Sequence, residues 1–355
     1  MEKSPLGACE PKKTKSIMKT EKRKSLAEDA DDFICVKKGK MNREMEKSLW
    51  KKWGGKLFSA LIIIIGVTFV TFLLSYLSPD DAAVVKLSSM GTGYTQEMLE
   101  KTREEMGLNR PFLQQYTDWM RQVCHLDFGT SYRTSESITD MMMKALPKTL
   151  TLTVLSLFIT LVISVPLGIL CAWRPNGILD TVMRFFSYFF SSIPSFFISL
   201  IVLYVACIQW GLFNVRAEPG LRGYILPALV TGVTLSSWYV RQIRSIALEQ
   251  LGSAYVYALN SRGVSRSRIL WKHVLKNCML PVVTLLGVSF GGMLGGAAIV
   301  ESIFSVKGVG SLAVSAVTAR DYPFIQAYAA WMAALYLVVN FLVDVIYRKL
   351  DPRLS

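Results

Sequence analysis

Histidine is nearly missing from this chain: His125 and His273, far apart, are the only two in 355 residues. The six cysteines, Cys9, Cys35, Cys124, Cys171, Cys207 and Cys278, are scattered and none forms a C-x-x-C pair. That spacing argues against a zinc site or a disulfide framework, and the two shortages together argue against a metal cage built within the chain. Cys171, Cys207 and Cys278 fall in or beside apolar segments, where a free thiol behaves as a small hydrophobe. The G-x-x-x-x-G-K-[ST] phosphate loop is missing, so the chain does not hydrolyse ATP alone, and H-E-x-x-H is missing too. "GVSFG" (Gly287–Gly291) fits G-x-S-x-G, but a nucleophile elbow needs a strand–turn–helix with His and Asp partners, and this stretch lies inside an apolar run. Gly287, Gly291 and Gly295 recur every four residues, with Gly292 and Gly296 alongside, which suits close helix packing better. "GVGSLA" (Gly308–Ala313) imitates a dinucleotide fingerprint without βαβ surroundings and reads as an external turn. No acid or histidine stands near the middle of a span, as a proton-coupled carrier would want, and the spans show no inverted repeat. The sequence describes a pathway with no motor, and no catalytic residue or metal ligand is assigned.

What is present is apolar residue in blocks. The composition is 52% hydrophobic, with a formal net charge of +14 and a mean hydropathy of +0.35. The blocks are about twenty residues long, enough to cross a hydrocarbon core as a helix. Six spans are predicted, at about Leu57–Leu77, Thr149–Trp173, Phe185–Ile208, Ile225–Ile246, Leu280–Val300 and Ala327–Tyr347. Pro194 lies inside the third, flanked by Ser191, Ser192 and Ser195, whose hydroxyls can satisfy a freed carbonyl, so a kinked, protein-facing helix is expected there. The fold class is all-α, a polytopic membrane protein.

The basic excess marks sidedness. It shows no nucleic-acid-binding motif. "EKRK", "KKGK" and "KKWGGK" precede span one, and Arg262, Arg266, Arg268, Lys272 and Lys276 face a lone Glu249 between spans four and five. The loop from Pro79 to Lys148 is slightly acidic. The positive-inside rule puts both termini and the 247–279 loop in the cytoplasm, and the 79–148 loop outside. Residues 1–54 read as a cytoplasmic tail, with 1–40 polar, charged and disordered; Met41 is an alternative start. Span one lacks a small-residue cleavage site and reads as a retained anchor. Residues 55–355 form the six-span domain.

Two loops carry local signals. Outside, "TQEMLEKTREEMGL" offers Thr95 as an N-cap, a weak stripe of Met98, Leu99 and Met106, and Gly107 as a stop; Pro111 opens a second helix. Inside, "SAYVYALNSR" places Tyr255, Val256 and Leu259 on one face. Gly263 stops it, and Ser265 is an N-cap candidate for a basic helix leading into span five. A short helix presented crosswise at the membrane is suited to a partner's groove. The ionisable groups near span ends are Glu301, Asp344 with Asn340, Arg241 and Arg244, where snorkelling or ion pairing is the plain alternative to function.

At "YALNSRG" (Tyr257–Gly263) the chain resembles the permease subunits of ATP-binding-cassette importers, in the dipeptide/oligopeptide/nickel branch. That family's cytoplasmic loop has an acid-Ala-Ala-x-x-x-Gly core. Ala258 and Gly263 match it, while Tyr257 replaces the acid and Leu259 the second alanine. The departure removes a charged contact and shifts the expected dock toward apolar packing. Further similarity runs in order through "GLNRPFLQQY", "DFGTSYR", "LPKTLTLT", "SIPSFF", "ILPALVTG" with "YVRQIRS", "ESIFSVKGVGSLAVSAVTARDYPFIQ" and "NFLVDVIYRKLDPRLS", although Val306–Lys307 stands where Trp-Pro is usual. It covers nearly all of 55–355.

The resemblance implies the transmembrane-domain fold of an ABC type I importer and a chain that is not an enzyme. The implied partners are a homologous permease, two ABC ATPase subunits and an extracytoplasmic solute-binding protein in a bacterial cytoplasmic membrane. No cofactor is expected in this chain, since ATP and Mg would be bound by the ATPases. Tyr255, Val256, Tyr257, Ala258, Leu259, Arg262 and Gly263 are expected to dock the ATPase. Ser192, Pro194, Ser195, Gly287, Gly291, Gly295 and Glu301 are candidates for the translocation path, with pure packing as the alternative. Asp127, Arg133, Arg320 and Asp321 are candidates for contact with the binding protein, with structural ion pairing as the alternative. Peptides lead as solute, ahead of nickel or metal–chelator complexes, opine-like compounds and sugars. A secondary carrier, a membrane-embedded enzyme and a non-transporting scaffold are the rival classes.

Overall fold

A long apolar run in lipid must satisfy its backbone polar groups within itself, and the helix is the way to do so. The computed structural model describes Gly55 and residues 58–89, 93–215, 218 and 220–350. The expected tail, the alternative start at Met41 and the last five residues lie outside the described residues. Two units divide between Ile63 and Ile64. The first is described at Gly55 and from Phe58 to Ile63, where Ser59 Oγ donates to the Gly55 carbonyl at 3.0 Å.

Helix α1 spans Phe58–Tyr76. Three short helices follow: α2 (Ala82–Ser89), α3 (Gln96–Glu105) and α4 (Phe112–Cys124). Thr95 caps α3, its side chain accepting from the Met98 N–H. Pro111 opens α4, and Gly107 takes the left-handed conformation between the two. Phe72 and Tyr76 of α1 pack edge-on or tilted against Phe112, and Tyr116 meets both Phe69 and Phe72. Thr68 Oγ1 and the Tyr116 hydroxyl share a hydrogen bond of 3.1 Å.

α5 runs from Ile138 to Trp173, so it begins well before the Thr149 expected from hydropathy. Its early turns carry Ile138, Met142 and Ala145, which bury against Phe128, Val309 and Phe324. That stretch is amphipathic, not apolar throughout, so hydropathy alone passes over it. α6 (Ile178–Ser192) and α7 (Ser195–Leu203) bracket Pro194, and a π-helical turn (Tyr204–Gln209) extends α7. The pair bends by 95° at the break.

α8 (Arg222–Leu251) packs along α5. Gly168 of α5 lies against Ile243, and Gly232 of α8 against Ile159. Thr160 Oγ1 donates to the Gly232 carbonyl at 3.1 Å within this seam. Next come α9 (Ala254–Ser261), then α10 (Arg266–Arg268), a second π-helical turn (Ile269–Val274) and α11 (Leu275–Gly296) in one continuous helix. The chain closes with α12 (Ala298–Ile303), α13 (Val309–Thr318) and α14 (Tyr322–Leu350).

Among the described residues, four helices are long and apolar enough to cross a membrane, or five if the bent pair counts as one span. The helix at the expected fourth span, α8, is long enough. Arg241, Arg244 and its Ser, Thr and Gly residues dilute its apolar run.

A candidate coupling loop and three buried polar anchors

The loop at Tyr255–Gly263 folds as a short helix because its apolar positions share one face and its ends are marked. Val256 is 4% exposed and joins a core of Ile169, Tyr239, Ile243, Ala247, Ile269 and Val274; Tyr255 and Leu259 pack at its edge. Tyr257, at 64% exposed, projects outward. Ala258, Arg262 and Gly263 are exposed as well. Gly263 has φ of +72°, a conformation in which a side chain would be strained. It lets the Val264 N–H reach the Leu259 carbonyl at 3.1 Å, as in a Schellman stop. Arg266 Nη2 donates to the Trp173 carbonyl at 3.1 Å, tying the loop to the end of α5.

A buried ion pair stands behind this loop. Asp180, 0% exposed in α6, accepts from Arg244 Nε at 2.5 Å and Nη2 at 2.8 Å, and from the Asn176 N–H at 2.9 Å. Arg184 Nη2 is 3.7 Å away. Fork-to-fork geometry of this kind is the strong form of the interaction. It fastens the α5–α6 turn to the end of α8. Arg244 was legible as a span-end cation; its partner, 64 residues earlier, was not.

The expected path residues divide into groups. Ser192, Pro194 and Ser195 are exposed at the bend. Gly287 is buried against Val343 and Gly291 faces the Tyr336 ring, so both meet α14; Gly295 is exposed, its nearest neighbour being the Tyr328 hydroxyl at 3.9 Å from an added Cβ. Ser289 of the G-x-S-x-G match accepts a hydrogen bond from the Tyr239 hydroxyl at 2.9 Å.

Glu301 is 0% exposed. Thr149 Oγ1 of α5 donates to its Oε1 at 2.6 Å and the Ser311 N–H to its Oε2 at 2.9 Å; Thr149 in turn accepts from the Val309 N–H at 2.8 Å. Gly308 comes so close that a Cβ there would stand 2.5 Å from the Glu301 carboxyl. The "GVGSLA" stretch is therefore the start of helix α13 wrapped around a carboxyl, not a free turn. Burial pushes the Glu301 carboxyl above its usual range, against the hydrogen bonds from Thr149, Ser311 and Gly310.

Of the four outer-loop candidates, Asp127, Arg133 and Arg320 are exposed. Asp127 Oδ1 accepts from the Gly129 N–H at 2.9 Å. Arg320 Nη1 pairs with Asp80 at 2.5 Å. Asp321 is 3% exposed; it accepts from Ser131 Oγ at 2.5 Å and the Tyr132 N–H at 3.1 Å. Burial pushes the Tyr132 phenol up, and Asp321 and Tyr322 add to it. A cavity of about 730 Å³ lies nearby, bordered by Asp80, Arg103, Arg110, Tyr132 and Tyr322. Its charges are largely spent on each other, as in Arg103–Asp81 and Arg110–Asp118. Among the described residues no group of His, Cys, Asp and Glu could hold a metal ion.

The fold thus defines a multi-pass helical membrane protein whose polar anchors secure its loops and whose short exposed helix sits at a loop tip. Residues 164–355 match the family model "Binding-protein-dependent transport system inner membrane component", and residues 55–153 match the N-terminal model of the same transport systems. The chain belongs to this family and is an ABC importer permease. It is 33% identical to the metal-staphylopine import system permease protein CntB of Staphylococcus aureus, over 82% of this chain and 94% of that one. It is also 33% identical to a probable peptide ABC transporter permease, y4tP, of Sinorhizobium fredii, over 84% and 97%. The nickel import system permease protein NikB of S. aureus is 30% identical over 84% and 90%. A chain of the inward-facing MetNI methionine ABC transporter overlays with a TM-score of 0.50, at 17% identity, over 59% of this chain and 96% of that one. Likeness at that identity shows the fold.

Proposed function

We propose that this chain is one of two homologous permeases of a peptide importer in a bacterial cytoplasmic membrane, with both termini in the cytoplasm. Two ABC ATPase subunits bind ATP and Mg on the cytoplasmic side, and this chain performs no chemistry of its own. A solute-binding protein delivers cargo outside, near Asp127, Arg133 and Arg320, with Asp321 holding the loop that bears Arg133. Ser192, Pro194 and Ser195 border the path. Glu301 holds the α12–α13 segment in place.

The observation that carries this reading is α9: a short helix rooted by Val256, with Tyr257 and Ala258 exposed and Gly263 turning the chain into α10 and α11. An ATPase groove that grips Tyr257 moves α9, and α9 is packed on both α8 and the helix leading into α11. ATP binding then favours one facing state over the other, which is the coupling that transport requires. With Tyr257 in place of an acid, the grip is apolar.

Ala258→Pro tests the assignment in the reconstituted complex. It breaks α9 at an exposed position, where proline costs about 3 kcal/mol of helix. Solute-stimulated ATP hydrolysis and import are expected to fall together while expression stays normal; wild-type coupling would sink the assignment. Import by this chain alone in liposomes would instead favour a secondary carrier. The CntB and NikB names favour a second reading, a metal–chelator cargo. Uptake of labelled nickel chelate against labelled peptide, with the cognate binding protein, separates the two.

A further inference from the structure

Arg241 and Arg244 stand close together on α8 but turn to different partners. Arg241 precedes Arg244 by less than one turn of α8, about 4.5 Å of rise. Arg244 turns to Asp180. Arg241 instead donates from Nη1 to the Ser187 carbonyl at 2.9 Å and to Ser191 Oγ at 3.0 Å. Ser187 and Ser191 lie roughly 10 and 16 Å further along α6 than Asp180. The two arginines therefore diverge, and Arg241 reaches toward the break at Ile193–Pro194, away from the α5–α6 turn. Among the described residues its guanidinium forms no ion pair. Its charge is met by neutral acceptors and by the Tyr188 ring, 5.2 Å from the guanidinium carbon.

Both protein hydrogen bonds use Nη1. The other edge of the fork, Nε–H beside Nη2–H, is the edge that takes a carboxylate in two parallel hydrogen bonds. Beside it Tyr188 and Ser191 are exposed, and Ser191 Oγ lies 3.4 Å from Ser237 Oγ; the Ser192 hydroxyl donates to the Tyr188 carbonyl at 2.8 Å. A cation held between helices, with no acid among the described residues paired to it, favours an anion that comes and goes.

We infer that Arg241, with Tyr188 and the Ser191 hydroxyl beside the bend, is a carboxylate-binding station for the transported solute. The inference rests on the importer reading and deepens it: the path selects solutes that carry a free carboxylate. Arg241 gives charge and fork, Tyr188 gives an aromatic face, and the Ser191 hydroxyl takes the place of lost water.

The test uses the full complex in proteoliposomes with its binding protein. Import of trialanine and of its C-terminal amide is measured in wild type, Arg241→Gln and Arg241→Lys, each solute relative to its own wild-type rate, so that the binding protein's preference cancels. Arg241→Gln is expected to lower trialanine import about tenfold and that of the amide less than twofold. Arg241→Lys, which keeps the charge and loses the fork, falls between. Equal loss for both solutes, or loss for neither, overturns the proposal. If wild type imports neither, the peptide reading fails, and a cargo-independent measurement decides for Arg241. Phenylglyoxal modification of Arg241, read by mass spectrometry in phosphatidylcholine nanodiscs, is expected to slow with millimolar succinate and not with succinamide. Absence of protection, or equal protection by phosphatidylglycerol alone, overturns the assignment, the latter in favour of a lipid headgroup.

Discussion

Arg244→Met is the most telling single perturbation of the scaffold. Arg244 is 20% exposed at its side chain and Asp180 is 0% exposed. Removing the guanidinium takes away two hydrogen bonds, at 2.5 and 2.8 Å, and leaves a buried carboxylate with the Asn176 N–H and a distant Arg184. Stranding a buried charge costs about 3–5 kcal/mol, whereas replacing both partners by apolar groups of similar volume is often near neutral. Met fills much of the Arg stem's volume, so the loss is electrostatic and not a cavity. Unfolding of purified protein by SDS in mixed micelles should show Arg244→Met destabilised by about 3 kcal/mol or more. Asp180→Leu with Arg244→Met should recover most of it, giving a coupling energy well above that of an exposed pair, about 0.2–1 kcal/mol. A single variant within about 1 kcal/mol of wild type, or a double variant equal to the sum of the singles, would refute the argument.

Glu301 lies outside the span Arg266–Gly295, and burial raises its carboxyl above the ordinary value. The folded state then holds that proton more tightly than the unfolded chain. Its contribution to stability is full below the unfolded value and is lost as pH rises through the folded one. Thermal unfolding from about pH 4 to 8 should show this downward slope in wild type and a flatter profile in Glu301→Gln; identical slopes would remove the cause. Asp321→Ala leaves the Ser131 hydroxyl and the Tyr132 N–H without their acceptor, at about 1–3 kcal/mol of buried polar cost. The loop should loosen locally, so trypsin should cut after the exposed Arg133 faster than in wild type; an unchanged rate counts against it.

Local signals carried far in the sequence. Thr95 before an acidic turn, Pro111 before an apolar stripe and Gly263 after Leu259 each specify an end that the neighbouring residues enforce, and the helix ends lie there. Hydropathy found the apolar helices and missed the amphipathic opening of α5, whose buried face is matched by Phe324 from the far end of the chain. The polar anchors escaped for the same reason. Asp180 meets Arg244 across 64 residues, Thr149 meets Glu301 across 152 and Ser131 meets Asp321 across 190. No periodicity records such a meeting. The one clue at Glu301 was chemical: Gly308, attributed to a turn, leaves the space that the Glu301 carboxyl fills, while Gly310 makes room for Ala298. Gly287 and Gly291 of α11 were legible as packing positions, whereas Gly292 and Gly295 are exposed, and the packing partner, α14, was not legible.

The π-helical turn at Ile269–Val274 has a further consequence for that last pair. A wide turn holds one residue more than the α-helix would, so it acts as a phase shifter in the rod between the α9 loop and the glycines. Everything after Val274 is rotated by about 100° relative to an unbroken helix. The exposed face of α9 and the face of α11 that receives Val343 and Tyr336 are thus indexed to each other by a single residue. Were that turn to relax into regular α-helix, the rod would twist about its own axis without changing direction. The exposed face of α9 and the α14 contact are then linked by rotation as well as by tilt.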